Sequence, residues 1–269
     1  MLMSATPIPR TLASSMFGDM DISTIETLPK GRKGCDTILI QKNSIVDIIE
    51  DLKKTLSEGR QAYIIASAID SSEGYNAKDV NNLYKSLIDA LKPYKLGLLH
   101  GKLSSEEKDD VMAKFNKNEI QVLVSTTVVE VGVNVKNATT MIIYDADRFG
   151  LSQLHQLRGR VQRGNYKGKC YLLTGNSDQD VLARLNVLCK YNDGFKISLE
   201  DLKLRGPGDM LGTRQSGLPS FVLGDLLTDQ KFMEAAKVDA SEIFNNQDLK
   251  DNKEYFEKIA LEANKNATD

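Results

Sequence analysis

The stretch KLGLLHGKLSSEEKDDVMAKFNKNEIQVLVST, residues 95–126, decides the fold class of this chain. It begins with a short apolar run that ends in glycine and closes with a second apolar run, and such runs are typical of buried strands. Between them, serines and two glutamates at 104–107 predict the start of a helix. The stretch therefore predicts a strand, a helix and a second strand that lies parallel to the first.

The same alternation extends outward over residues 35–175. Further strands are predicted at 36–40, 61–69, 139–146 and 169–175, and further helices at 43–59 and 80–92. This rhythm predicts an α/β fold, with a parallel sheet covered by helices on both faces. Ligands of such sheets usually bind at the carboxyl ends of the strands. The loops after the strands, and the arginine-rich helix near residue 158, are therefore expected to carry the chemistry.

The pattern changes beyond residue 176. Two helices are predicted, at 177–192 and 198–205, and the glycine- and proline-rich stretch RGPGDMLGTRQSGLPS at 205–220 follows them. That composition excludes a long helix or strand over 205–220. The remaining residues are mostly helical in pattern, so a mainly helical C-terminal extension is expected.

Composition sets the broad class of the protein. The chain has 269 residues, 41% of them hydrophobic and 27% charged, which is typical of a globular protein of one or two domains. Because no apolar run reaches the ~18 residues of a membrane span, we expect a cytoplasmic chain with no membrane partner. The three cysteines are far apart and only two histidines are present, so no metal site is expected.

The distribution of charge indicates a local anion site. The net charge is −2, yet residues 151–215 contain 11 Lys and Arg against 6 Asp and Glu. Within that segment, SQLHQLRGRVQRG at 152–164 holds three arginines and no acidic residue. Ser152 is expected to cap a helix. If the helix continues, Arg160 and Arg163 share a face on neighbouring turns. A guanidinium suits phosphate oxygens, although a solvated basic face is an equal alternative.

A complete nucleotide site is missing from the sequence. The nearest match to a P-loop, GLLHGKL at 97–103, has three residues between its glycines instead of four, and Leu103 follows its lysine. No Asp-Glu pair ends a strand. We therefore expect the chain alone not to hydrolyse ATP. STTVVEVGVNV at 125–135 offers hydroxyl groups at a strand end, which suit phosphate contacts, or else form a simple turn.

Five stretches occur in an order that resembles the RecG family of bacterial ATP-dependent DNA helicases, within helicase superfamily 2. They are SATPIPRTLA, HGKLSSEEKDDVMAKF, STTVVEVGVNVKNAT, DADRFGLSQLHQLRGRVQRG and LRGPGDMLGTRQSGLP. The arginine stretch is common to superfamily 2. TPIPRTLA and LGTRQSGLP narrow the resemblance to RecG and its relative, the transcription-repair coupling factor.

The resemblance implies RecA-like domains and a role in remodelling branched DNA and stalled replication forks during recombination and repair. Residues 1–27 correspond to the end of a first motor domain, 28–34 to a linker, 35–176 to the second RecA-like domain, and 177–269 to the helical extension. ATP and Mg would be bound mainly by the first motor domain, most of which the chain lacks. The implied partners are branched DNA and, in the same protein, that first domain and an N-terminal wedge domain.

The resemblance also assigns roles to individual residues. Arg160 and Arg163 take arginine-finger positions that stabilise charge on the γ-phosphate during transfer. Nucleotide binding is implied for Gly132, Asn134 and Gln156. DNA binding, or its coupling to the nucleotide state, is implied for Ser4, Thr6, His100, Gly101, Lys102, Thr126, Thr127, Arg205, Arg214 and Gln215.

Three positions depart from the family pattern. Asn134 stands where Asp is common, Lys136 where Pro is common, and Gln162 where glycine is expected.

In the chain alone we expect Arg160 and Arg163 to be solvent-facing and unpaired, or bound to a stray anion, and Arg158 to serve the helix surface. Two alternatives remain: the motor of a transcription-repair coupling factor, and a non-catalytic module that binds nucleic acid.

Overall fold

The computed structural model describes residues 33–42, 44–66, 76–126, 135–161, 166–205 and 230–245, together with residues 23, 25, 257 and 258. The strands are β1 (Cys35–Ile40), β2 (Gln61–Ile65), β3 (Leu96–Leu99), β4 (Val122–Ser125), β5 (Ala138–Ile143) and β6 (Gly168–Leu173). The helices are α1 (Ile49–Ser57), α2 (Asn76–Ala90), α3 (Ser105–Asn116), α4 (Leu151–Arg158), α5 (Gln179–Lys190), α6 (Gly194–Arg205) and α7 (Gln230–Asn245). Short 3₁₀ turns lie at Val46–Ile48, Ala146–Arg148 and Gly159–Val161.

The described strands form a single sheet in the order β1-β6-β5-β2-β4-β3, and every neighbouring pair is parallel. β2 and β5 lie inside the sheet, and all their residues are buried. A strand buried on both faces needs a continuous apolar sequence, which explains the unbroken apolar runs in the chain. The predicted parallel sheet is confirmed.

Two separate cores lie on the two faces of the sheet. Successive β2 residues alternate between them, because side chains of a strand point to opposite faces: Tyr63 and Ile65 face one core, and Ala62 and Ile64 the other. The first core includes Phe115 of α3, Leu154 of α4 and Leu185 of α5. The second includes Leu52 of α1 and Leu87 of α2. Helices therefore cover both faces, as predicted.

Local signals placed several helix ends correctly. Ser104 caps α3: its hydroxyl accepts from the Glu107 N–H at 3.2 Å, and the Glu107 carboxylate accepts from the Ser104 N–H at 2.8 Å. This reciprocal capping box satisfies donors that a helix start leaves unpaired. Gly59 follows α1 with φ of +74°, a conformation that glycine adopts at little cost.

The start and end of α4 differ from the prediction. Gly150, not Ser152, occupies the N-cap position, and no side chain caps it; Ser152 already lies inside the helix. α4 ends at Arg158, and a 3₁₀ turn over Gly159–Val161 continues the chain. The α-helix therefore does not carry Arg160, because Gly159 ends the regular hydrogen-bond pattern.

The chain separates into two compact units. The first contains the sheet, both cores and the described residues from 33 to 197. The described residues of the second are 198–205 and α7, which are helical, together with residues 23, 25, 257 and 258. The domain bounds given above remain a prediction. Within the described residues, no helix is both long and apolar enough to cross a membrane.

Candidate functional site

The carboxyl ends of β3 and β4 bring several of the predicted residues together. Leu99 pairs with Ser125 in the sheet, so the residues that follow them, His100 and Thr126, are neighbours. The Thr126 N–H donates to the Leu99 carbonyl at 3.2 Å. Thr126 is buried, whereas Gly101 and Lys102 are exposed. This edge, formed by His100, Gly101, Lys102 and Thr126, is called the carboxyl-edge cluster below.

The loop from His100 to Ser104 is held by its own hydrogen bonds. The Leu103 N–H donates to the His100 carbonyl, and Lys108 Nζ donates to the Gly101 carbonyl, both at 3.2 Å. Among the described residues, the buried His100 Nδ1 has no hydrogen-bond partner. An exposed lysine on a loop fixed in this way is suited to the phosphate backbone of a nucleic acid.

The arginine turn, Gly159–Val161, lies at the opposite edge of the sheet. α4 begins just after β5, and the chain then runs back along the sheet to the first residue of β6. Contact there is close, because a Cβ at Gly168 would lie 2.6 Å from the Val161 carbonyl oxygen. Arg160 therefore lies near the amino end of β6, and the expected position at the carboxyl ends is wrong for it. α4 has eight residues and advances the chain by about 12 Å. This length accounts for the return of the chain from the carboxyl ends of the strands to their amino ends.

Arg158 is a buried core residue, so the expectation that it serves the helix surface is wrong. Only 1% of the residue is exposed. Its Nη1 donates to the Leu188 carbonyl at 2.8 Å, the Tyr191 carbonyl at 2.9 Å and the Thr37 hydroxyl at 3.3 Å. Its Nη2 lies 2.8 Å from Nδ1 of His155. Burial lowers the pKa of Arg158 from its usual value. The acceptors are uncharged, so this arginine does not depend on an anion.

Arg160 differs from the expectation in another respect. The residue is half-buried and interacts within the chain, so it is not the unpaired, solvent-facing residue that was expected. Gln156, one helical turn earlier on α4, is exposed. Lys136 is exposed in the turn before β5.

The remaining predicted site residues cannot be placed. Ser4, Thr6, Thr127, Gly132, Asn134, Arg163, Arg214 and Gln215 lie outside the described residues, as does Gln162. Arg205 ends α6, but its side chain is outside the described part.

A second cluster, which sequence reasoning missed, lies where β2 and β5 begin. The guanidinium carbon of Arg60 lies 3.3 Å from the ring centroid of Tyr166, and Arg60 Nη1 donates to Asn137 Oδ1 at 3.1 Å. Asn137 Nδ2 donates to the Gly59 carbonyl at 2.8 Å, and Gln61 Nε2 donates to the Ile120 carbonyl at 2.7 Å. These contacts join residues far apart in sequence, so no local motif predicts them. They fix the amino end of the sheet.

The described residues at the arginine turn fit part of a nucleotide site. The Arg160 guanidinium and the exposed Gln156 amide can donate hydrogen bonds to phosphate and sugar oxygens. No group of three His, Cys, Asp or Glu side chains within the described part of the chain is placed to hold a metal ion. Both side chains are therefore chemically suited to bind phosphate or sugar oxygens.

Comparison with known proteins shows which class of domain the chain resembles, and then which helicase family. Residues 43–165 match the helicase conserved C-terminal domain, and residues 191–262 match domain 3, C-terminal part, of the ATP-dependent DNA helicase RecG. The parallel sheet together with the first match defines a RecA-like helicase C-terminal domain.

The similarity to individual RecG proteins is high. The chain is 48% identical over 244 residues to ATP-dependent DNA helicase RecG of Bacillus subtilis strain 168, covering 90% of this chain and 36% of that protein. It is 50% identical over 246 residues to RecG of Staphylococcus epidermidis, with the same coverage of both chains. The solved structure of RecG bound to a three-way DNA junction is 42% identical with a TM-score of 0.68, covering 86% of this chain and 30% of that one.

This chain is similar to the C-terminal part of RecG proteins, and the resemblance in its motifs is confirmed. It spans 36% of the length of the two curated relatives.

Proposed function

We propose that the chain is the second RecA-like motor domain and the C-terminal translocation element of an ATP-dependent DNA helicase that remodels branched DNA and stalled replication forks. The observation that carries this proposal is the order of two matches along one chain, a helicase C-terminal domain followed by RecG domain 3. The second match favours RecG over the transcription-repair coupling factor. Branched DNA as the partner is supported by a relative, 42% identical, whose structure is bound to a three-way junction.

In this proposal the two ends of the sheet bind different ligands. The carboxyl-edge cluster binds the DNA backbone through the exposed Lys102 and neighbouring backbone groups. The arginine turn, at the other edge, places Arg160 beside the nucleotide together with Gln156. A first motor domain binds ATP and Mg, and ATP supplies the free energy for stepping. Arg160 and Arg163 then donate hydrogen bonds that stabilise charge developing on the γ-phosphate.

The other predicted residues complete the proposal. Ser4 and Thr6 couple the nucleotide state to the grip on DNA, Thr127 adds a backbone contact, and Gly132 and Asn134 approach the nucleotide. Arg205, Arg214 and Gln215 relay closure of the motor to movement along DNA. The C-terminal extension thereby acts as the translocation element.

The experiment compares the chain alone with the chain joined to a first RecA-like motor domain. We expect no ATP hydrolysis by the chain alone, with or without DNA, and DNA-stimulated hydrolysis by the joined protein. In the joined protein, Arg160→Ala should lower kcat roughly 10³-fold, because arginine fingers contribute about 10³–10⁵ in other NTPases. Lys190→Ala is the control, since Lys190 is an exposed cation on α5 and should leave kcat unchanged.

Two results would argue against this function. An unchanged kcat in Arg160→Ala would remove Arg160 from catalysis. Salt-dependent DNA binding by the chain, with no ATP response after a first motor domain is supplied, would favour the non-catalytic nucleic-acid-binding module.

A further inference from the structure

Two arginines exchange hydrogen bonds between α4 and α5. Arg158, the last residue of α4, donates to the carbonyls of Leu188 and Tyr191 at the end of α5. Arg184, on α5, donates in the other direction: Nη1 to the Phe149 carbonyl at 2.7 Å, and Nη2 to the Asp147 carbonyl at 2.6 Å. α4 therefore supplies an arginine to the backbone at the end of α5, and α5 supplies an arginine to the backbone of the segment that precedes α4.

The Arg158 contacts satisfy carbonyls that α5 cannot pair by itself. Leu188 is among the last four residues of α5, whose carbonyls lie beyond the reach of the helix's own N–H groups. A cation at the C-terminal end of a helix is also favoured by the helix dipole. Arg158 thus has a specific role at this helix end, although burying a guanidinium is costly and its Nε has no hydrogen-bond partner among the described residues.

The Arg184 contacts fix the approach to α4. α4 starts without a side-chain cap, so its first turn depends on the segment that precedes it. Arg184 binds two carbonyls of that segment, and Thr174 Oγ1 donates to Asp147 Oδ1 at 2.5 Å. The start of α4 is therefore tied both to α5 and to the loop that follows β6.

The arginine turn continues directly from this doubly held helix. Arg158 and Val161 are each 1% exposed, so the backbone is anchored on both sides of Arg160. The Gly168 backbone packs closely against Val161 and leaves no room for a Cβ between them. The position of Arg160 then depends on α4, whose two ends are held by Arg184 and Arg158.

We propose that Arg158 and Arg184 are positioning residues that act through Arg160, by clamping α4 against α5 and so fixing where the Arg160 guanidinium lies. The inference rests on the proposed role of Arg160 at the γ-phosphate. A displacement of about 1 Å can lower the rate of a positioned reaction about 10²-fold. Loss of the clamp should therefore lower kcat more than it weakens nucleotide binding.

The test uses the protein joined to its first motor domain and the variant Arg184→Met. Arg184 is only half-buried and Met keeps most of its apolar length, so folding should persist. We expect kcat for ATP hydrolysis to fall about 10²-fold and KM for ATP to stay within about twofold. Arg158→Lys, which keeps the charge but loses the planar fork, should also lower kcat. Lys190→Met, an exposed cation on the same helix, is the matched control.

A double mutant separates positioning from general damage to the fold. In the Arg160→Ala background, Arg184→Met should lower kcat no further, because the group that it positions is gone. Single-turnover phosphate release keeps these slow variants measurable, and circular dichroism checks that each is folded. A further fall in the double mutant, or an unchanged kcat in folded Arg184→Met, would overturn the inference.

The proposed function can fail in a way that differs from failure of the clamp. If Arg160→Ala leaves kcat unchanged, Arg160 has no catalytic role and the inference is overturned with it. If Arg160→Ala lowers kcat and Arg184→Met does not, only the clamp fails.

Discussion

At the scale of single residues, the three arginines of the 152–164 stretch cannot be told apart by their spacing. Arg158 is buried because its acceptors come from residues 30 and 33 positions later in the chain, at the end of α5. Helical spacing shows which residues share a face, but not which later helix will cover that face. The sequence could therefore predict a basic cluster, but not that one of its members belongs to the core.

Gly168 gives a prediction at this scale. A Cβ at this position would lie 2.6 Å from the Val161 carbonyl oxygen and 3.3 Å from Cys35 Sγ, so Gly168→Ala must displace backbone. We expect a loss of about 1–3 kcal/mol in the free energy of unfolding, as for other overpacked sites, measured by urea denaturation of the chain.

Gly159→Ala is the matched control, because an added Cβ meets nothing within 4 Å and the residue already has helical dihedrals. It should leave stability unchanged or raise it by about 0.4–1 kcal/mol. Equal stability of the two variants would contradict the close packing of the arginine turn on β6.

At the scale of elements, α1 is joined to β6 by one carboxylate. Asp51 accepts from Lys169 Nζ at 2.7 Å and from the Tyr171 hydroxyl at 2.5 Å. Burial alone would raise the pKa of Asp51, but the hydrogen bonds from Lys169 and Tyr171 outweigh it and lower that pKa. Burial, with Asp51 as a second cause, raises the pKa of the Tyr171 hydroxyl, which stays protonated as a donor.

The lowered pKa of Asp51 predicts a pH dependence. A carboxyl whose pKa is lower in the folded chain contributes stability above its unfolded pKa of about 3.9, and that contribution is lost as pH falls through the folded value. Asp51→Asn should therefore be less stable than the natural chain at pH 7, and the difference in urea midpoint should shrink below about pH 4. Asp89→Asn is the contrast: Asp89 pairs with Lys92 on an exposed surface, where ion pairs contribute little. A difference for Asp51→Asn that stays constant from pH 7 to pH 3 would contradict this account.

At the scale of the whole molecule, strands and helices were predictable, while their arrangement was not. The unbroken apolar runs and the Ser104 capping box are local signals, so the elements appear close to where the sequence predicts them. The strand order joins β2 to β5 and β1 to β6, which are distant in sequence, and no local pattern reports such pairings. The site divides in the same way. The carboxyl-edge cluster follows from strand ends, whereas the position of Arg160 depends on the length of α4.

The first unit should fold by itself. Every described residue of both cores lies between Cys35 and Ile197, so a shortened chain of residues 33–205 keeps them all. We expect one cooperative urea transition in the shortened chain, with a midpoint close to that of the same transition in the full chain. Loss of cooperativity on shortening would show that the C-terminal residues are needed to complete this unit.

The placement of His100 and Arg160 on opposite edges has a mechanical consequence. Strands of four to six residues span about 13–20 Å, and a fully parallel sheet packed on both faces moves as a stiff body. A turn of about 10–15° about the amino ends of the strands would move their carboxyl ends by about 3.4 Å. In the proposed function, a small swing at the amino ends would thus equal the ~3.4 Å spacing of consecutive base pairs at the carboxyl ends.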